Sequence, residues 1–204
     1  MGMKRNLLSF FILLATILLI AGCSGNDLNS SEQSLKETSN EPSPNGGELK
    51  IALNAQPASL DLPMFTELAT RDTAMLMFET LVTQDSDFKT VPMLAESVDM
   101  SEDGKTYTFH LREGVSFHNG KEMIAEDVIA SMERWLEVST LTGTIFDGST
   151  WTAKDDYTVV LELAKPSALT LDTMASGKMA PAIMPNEIIE SAQGEEVTEY
   201  IGTG

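Results

Sequence analysis

Ser97-Val98-Asp99-Met100-Ser101-Glu102-Asp103-Gly104-Lys105-Thr106-Tyr107-Thr108-Phe109-His110-Leu111 carries two apolar-polar alternations separated by turn residues. In residues 106–111, Tyr107, Phe109 and Leu111 fall on one side and Thr106, Thr108 and His110 on the other, the period of a strand with one packed face. Residues 97–100 are also strand-like, and Ser, Asp and Gly within residues 101–105 suit a tight reversal, so the stretch predicts a β-hairpin. On its C-terminal side, residues 117–120 form a turn closed by Asn119-Gly120. Residues 125–136 then place Val128, Ile129, Met132, Trp135 and Leu136 at helical spacing, with Glu126 and Asp127 where the helix dipole favours acids. A strand is expected over residues 157–163, stopped by Pro166, and a helix over residues 167–175.

On the N-terminal side, residues 72–82 are rich in Met, Leu and Phe and read as a short helix with Asp72 near its start. Residues 48–54, ELKIALN, alternate at Leu49, Ile51 and Leu53 and read as a strand ending before Gln56-Pro57. Together these elements predict an α/β domain over residues 48–204: a mixed sheet with packed helices and the hairpin. About 155 residues lies inside the usual domain size.

The first 47 residues have a different character. Lys4 and Arg5 precede an apolar run over residues 7–20, too short to span a bilayer comfortably, and Ile20-Ala21-Gly22 leads into Cys23. Small residues before a cleavage point let the chain lie extended in a peptidase groove, and a thiol just after it can accept a lipid. Residues 1–22 are therefore expected to be a lipoprotein signal peptide and Cys23, the one cysteine of the sequence, the lipidated residue that holds the protein to the outer face of the cell membrane. Residues 23–47 are polar and Ser-, Asn- and Glu-rich, a composition that cannot bury enough surface to order itself, so they read as a disordered tether.

Charge limits the partners. The sequence holds 13 basic and 31 acidic residues; losing Lys4 and Arg5 leaves 11 basic ones and a net charge of −20. Nucleic acid is excluded as a partner, because no cluster of Lys or Arg is available to replace counterions. Direct adhesion to anionic lipid is disfavoured for the same reason.

Four separated motifs resemble one family, the peptide/nickel class of solute-binding proteins that serve ABC importers. Gly46-Gly47-Glu48-Leu49-Lys50-Ile51-Ala52-Leu53 with Pro57-Ala58-Ser59-Leu60-Asp61 resembles its first strand and turn. Leu94-Ala95-Glu96-Ser97 through the hairpin to Phe117-His118-Asn119-Gly120 resembles its signature hairpin. Ala125-Glu126-Asp127-Val128 is similar to the start of the following helix, and Ile201-Gly202-Thr203-Gly204 to a strand leading back toward the core sheet. The resemblance implies the first-lobe portion of a two-lobed periplasmic-binding-protein-like (type II) fold. Family members are much longer, so the sequence is expected to be an N-terminal fragment without the second lobe. One departure is local: Ile124 stands where the family usually has Thr or Ser as a helix cap, a loss of about 1 kcal/mol.

Motifs for covalent chemistry are absent. His110 and His118 match no zinc spacing and read as a strand-face and a turn residue; there is no Gly-x-Ser-x-Gly and no phosphate loop. No enzyme, metal or cofactor is expected. Most of the twelve methionines, Met75, Met77 and Met132 among them, read as core packing, with Met64 less easily placed. The resemblance implies a ligand cleft between lobes to which Phe65, Thr66, Arg71, Thr144 and Lys178 contribute, with Arg71 and Lys178 suited to a carboxylate. The implied function is capture of a short peptide and its delivery to the permease subunits of an ABC importer. A nickel-chelate or other small-solute binder, a surface sensor or adhesion lipoprotein, and a secreted hydrolase remain as alternatives.

Overall fold

The structure, a computed structural model, describes residues 50–204. The expected signal peptide, the lipidation of Cys23 and the tether lie outside the described residues. The elements run in the order α1 (Leu68–Ala74), β1 (Val82–Gln84), β2 (Thr90–Pro92), β3 (Ala95–Met100), β4 (Thr106–Leu111), α2 (Ala125–Val138), β5 (Thr150–Asp155), β6 (Thr158–Glu162), α3 (Thr170–Ala175) and α4 (Asn186–Ala192). β1 and β2 form a small ribbon, and the main sheet has the order β3-β4-β6-β5. Every pairing among the described residues is antiparallel, where a mixed sheet was expected.

The hairpin forms as expected, with Val98 opposite Phe109 and Met100 opposite Tyr107. Its turn is tied by Ser101, whose Oγ donates to Asp103 Oδ1 at 2.6 Å and accepts the Thr106 N–H at 2.9 Å, while Gly104 takes a φ of +67°. The Ser101 hydroxyl, helped by the Lys105 amide, holds the Asp103 carboxyl below its ordinary range. Tyr107, Phe109 and Leu111 are all buried, so the predicted face is the packed one.

α2 covers that face. Val128, Met132 and Trp135 join Phe109, Val159 and Leu161 in the principal core, and the Trp135 ring meets Phe146 edge-on at 5.1 Å between centroids. A second core gathers Leu62, Phe78, Ala182, Met184, Ile188 and Val197. Met132 is fully buried in the first core, whereas Met75 and Met77 are partly buried against the second.

Three expectations are corrected. The helix expected over residues 72–82 lies at Leu68–Ala74, because backbone bonds from Met93, Leu94 and Ala95 to Thr80 and Leu81 draw the later residues into extended pairing. The described part of the strand expected over residues 48–54 is not a strand: no described strand pairs with it, and Ile51 and Leu53 are 58% and 47% exposed. The expected strand over residues 201–204 is not a strand but an irregular segment lying between two loops. His118 N donates to Gly202 O on one side and Gly204 N to Met77 O on the other. Gly202 is required there, since a Cβ would collide with Met77 O and lie 2.8 Å from the Phe78 ring. Finally, β1, β2, β5 and α4 carried no sequence prediction.

Candidate functional site

α2 bears two parallel stripes. The apolar one, Val128, Met132 and Trp135, faces the sheet. The second, Asp127, Ser131 and Arg134, follows the same i, i+4, i+7 spacing and is polar yet buried. A buried polar group must find a partner or lose the free energy of its hydration, and this stripe fastens the segments around it, Asp127 and Ser131 the run at residues 184–186 and Arg134 the loop at Asp61.

Asp127 accepts the Ile124 N–H at 3.1 Å, the Asn186 N–H at 2.9 Å and Lys121 Nζ at 2.6 Å. Lys121 also donates to Asn186 Oδ1 and Glu187 Oε2, so the turn before α2 is latched to the start of α4. Burial works against the Lys121 charge, but Asp127 and Glu187 outweigh it and raise its pKa; the same bond lowers that of Glu187. Ser131 Oγ donates to Met184 O and accepts the Met184 N–H.

Arg134 grips Asp61 in a two-pronged pair, Nη1 to Oδ1 at 3.0 Å and Nη2 to Oδ2 at 2.6 Å, with both residues under 5% exposed. Nη2 also reaches Met64 Sδ at 3.4 Å and Glu195 O at 2.9 Å, and Asp61 Oδ2 accepts the Val197 N–H. Asp61, part of the first-turn motif, thus anchors the loop that leads into Phe65 and Thr66, and Met64 is accounted for by its contact with the guanidinium.

The five residues expected at the ligand lie on three segments: Phe65, Thr66 and Arg71 just before and within α1, Thr144 on the loop after α2, and Lys178 after α3. Phe65 is half-buried and Thr66 exposed just before α1. Arg71, in α1, donates Nε and Nη2 to Asp72 Oδ1 at 2.9 and 2.6 Å, so an incoming carboxylate competes with an existing half-exposed ion pair. Gly177 packs beside it: a Cβ there would lie 3.5 Å from Arg71 Cδ, which puts Lys178, exposed, next to Arg71 along the chain path. Met179 ties this segment to α2, its carbonyl accepting Trp135 Nε1 at 2.7 Å and its Sδ accepting Thr140 Oγ1 at 3.6 Å. Thr144 is exposed on the loop that follows and lines a recess of about 400 Å³ with Leu136, Phe146 and Asp147. The fold brings Arg71 and the Gly177-Lys178 turn together; Thr144 joins them at one remove, through α2 and Met179.

His110 Nε2 sits 3.1 Å from Asp99 Oδ2 across the hairpin, and His118 uses Nδ1 to accept the Gly202 N–H and Nε2 to reach Gly204 O. Among the described residues, no group of three or more His, Cys, Asp or Glu is arranged to hold a metal ion, and no helix is long and apolar enough to cross a membrane.

The residues missed from sequence are Asp127, Ser131 and Arg134 as buried organisers. Their spacing was the available signal: a polar stripe displaced by one residue from the apolar one.

Comparison with known proteins bears on what this arrangement serves. The model of the bacterial extracellular solute-binding proteins, family 5 (middle), matches residues 89–204. A probable peptide ABC transporter periplasmic-binding protein of Sinorhizobium fredii is 33% identical over 132 residues, covering 64% of this chain and 24% of the relative. Among solved structures, the A. tumefaciens R10 binding protein AgaA in complex with agropinic acid superposes with a TM-score of 0.64 at 30% identity, covering 73% of this chain and 30% of that one. The ABC transporter-associated periplasmic binding protein DppA of Helicobacter pylori, in complex with the peptide STSA, gives 0.62 at 27% identity over 74% and 34% of the respective chains. The chain therefore spans about a quarter to a third of the length of the proteins it matches.

Proposed function

Because the chain belongs to the bacterial extracellular solute-binding proteins of family 5, we propose that it is the first-lobe portion of a receptor that captures short peptides outside the cytoplasm and delivers them to an ABC importer. The observation that carries the reading is the match to a peptide-transport relative over 64% of the chain, together with the shared fold of a peptide-bound DppA. The mechanism is capture and closure: ligand held between two lobes, with no covalent step. On this side of the cleft Phe65 and Thr66 offer one wall, Arg71 and Lys178 a cationic corner for a carboxylate, and Thr144 the rim of the recess beside α2. The agropinic acid complex of AgaA supports a second reading, a small acidic solute in place of a peptide, which the same cationic corner suits.

Mass spectrometry of ligand carried through native purification of the whole receptor decides between them. Short peptides are expected; an acidic non-peptide solute would favour the second reading, and an empty receptor that ignores added peptides would refute the first.

Anchoring through Cys23 belongs to the same proposal, its support being the apolar run and Ile20-Ala21-Gly22 before the cysteine. Cys23→Ala is expected to move the protein out of the detergent phase and to leave uncleaved precursor. Unchanged partitioning would remove the anchor from the account.

A further inference from the structure

The turn that leads into Phe65 and Thr66 is held by a charge pair as well as by apolar contact. Leu62, within it, is buried in the second core, but apolar burial has no direction and leaves a turn free to tilt. Arg134 supplies the direction. It meets the turn at both ends, taking the Asp61 carboxylate with its two Nη atoms and reaching Met64 Sδ with Nη2. Between those ends Met64 N donates to Asp61 O at 3.1 Å, so residues 61–64 form a closed unit and Phe65 is the first residue beyond it.

The segment on the other side is pinned to the same frame. Asp61 N donates to Ser59 Oγ at 3.0 Å and Thr70 Oγ1 to Ser59 O at 2.9 Å, which ties α1, and with it Arg71, to the base of the turn. Phe65, Thr66 and Glu67 therefore bridge two fixed points. Glu195 O accepts from the same guanidinium and Val197 N donates to the same carboxylate, so the pair also holds the backbone after α4 against the turn.

Folding alone does not call for an ion pair here. Taking two charges out of water offsets much of their attraction, and apolar residues of similar volume often serve stability as well or better. What a planar, two-pronged pair adds is one distance and one orientation. Asp61 and Arg134 are 1% and 4% exposed, so neither offers itself to a ligand. We propose that they are positioning residues of the binding site: the pair fixes where Phe65, Thr66 and Arg71 stand, and replacing it as a whole costs affinity while the fold persists. The inference rests on the receptor reading above.

Two variants of the whole receptor test it. Asp61→Asn combined with Arg134→Met removes both charges together, stranding neither, and leaves an oxygen for the Val197 amide; Arg134→Lys keeps the charge but not the fork. Hydrogen exchange without added ligand reads the frame, and titration calorimetry with a pool of short peptides, and separately with agropinic acid, reads capture. In both variants the β4 amides are expected to stay as protected as in the parent and the Met64 amide to exchange severalfold faster. Kd for whichever probe the parent binds is expected to rise about tenfold or more, the equivalent of one or more well-placed contacts. Met64 exchange that is unchanged, or that quickens together with β4, would overturn the proposal. So would an unchanged Kd in either variant beside a parent that binds, a result that leaves the receptor reading standing. A parent that binds neither probe defeats both ligand readings, and the positioning role falls with them.

Discussion

Asp61 receives both Nη atoms of Arg134 and the Val197 amide while only 1% exposed, so its charge is balanced by one guanidinium in a setting from which water is excluded. Removing one partner of such a pair strands the other. Arg134→Ala is therefore expected to cost about 3 to 5 kcal/mol in denaturant unfolding; a loss under about 1 kcal/mol would mean the pair is a bystander. The motif containing Asp61 was legible in the sequence but its partner was not. Arg134 lies 73 positions away, and only the folded path of the chain brings the two together. Ile124 shows the converse. Its lack of a capping oxygen was plain, but the compensation was hidden: the Asp127 carboxylate takes its amide, and Met123 and Val128, both fully buried at N′ and N4, are placed as a hydrophobic staple.

Among elements, the hairpin and α2 were readable because each buries one regular face, giving a period of two in β4 and of three to four in α2. β5 was not, since Trp151 is its one buried residue and an edge strand of that kind leaves no alternation to read. α4 begins straight after Pro185 and ends at Gln193 in the left-handed region, signals that were present but too short a helix to stand out. Its attachment depends on protons. Glu187 has a lowered folded pKa, so its contribution is present above the ordinary glutamate range and disappears as pH falls through the lowered value. Lys121 has a raised one, so its contribution is present below the ordinary lysine range and disappears as pH rises through the raised value. The thermal midpoint gap between the parent and Lys121→Met is thus expected to be widest between about pH 5 and 9 and to narrow below about pH 4 and above about pH 10.5. A gap that stays constant down to about pH 3 would show that the latch to Glu187 contributes nothing.

For the whole molecule, the α/β lobe and the family were legible because four motifs stand in order along the chain, and the fold places three of them on the hairpin with its following turn, the start of α2 and the Gly202 segment, while the first lies partly outside the described residues and its described part forms no strand. The proposed ligand corner was legible only as positions: that Asp72 already occupies Arg71, and that Gly177 packs against it, are facts of side-chain geometry with no local sequence signal. If this lobe supplies one wall of a cleft, a peptide resting on it loses translational and rotational freedom, a cost of several kcal/mol, against roughly half the compensating contacts. Micromolar capture by two lobes, about −8 kcal/mol, then falls to about millimolar or weaker on one. Titration calorimetry of residues 24–204 against a short-peptide library, beside a two-lobed receptor containing the same sequence, measures this difference directly. The account predicts micromolar binding by the two-lobed protein and millimolar binding or none by the single lobe; micromolar binding by residues 24–204 alone, or none by the two-lobed protein, would contradict it.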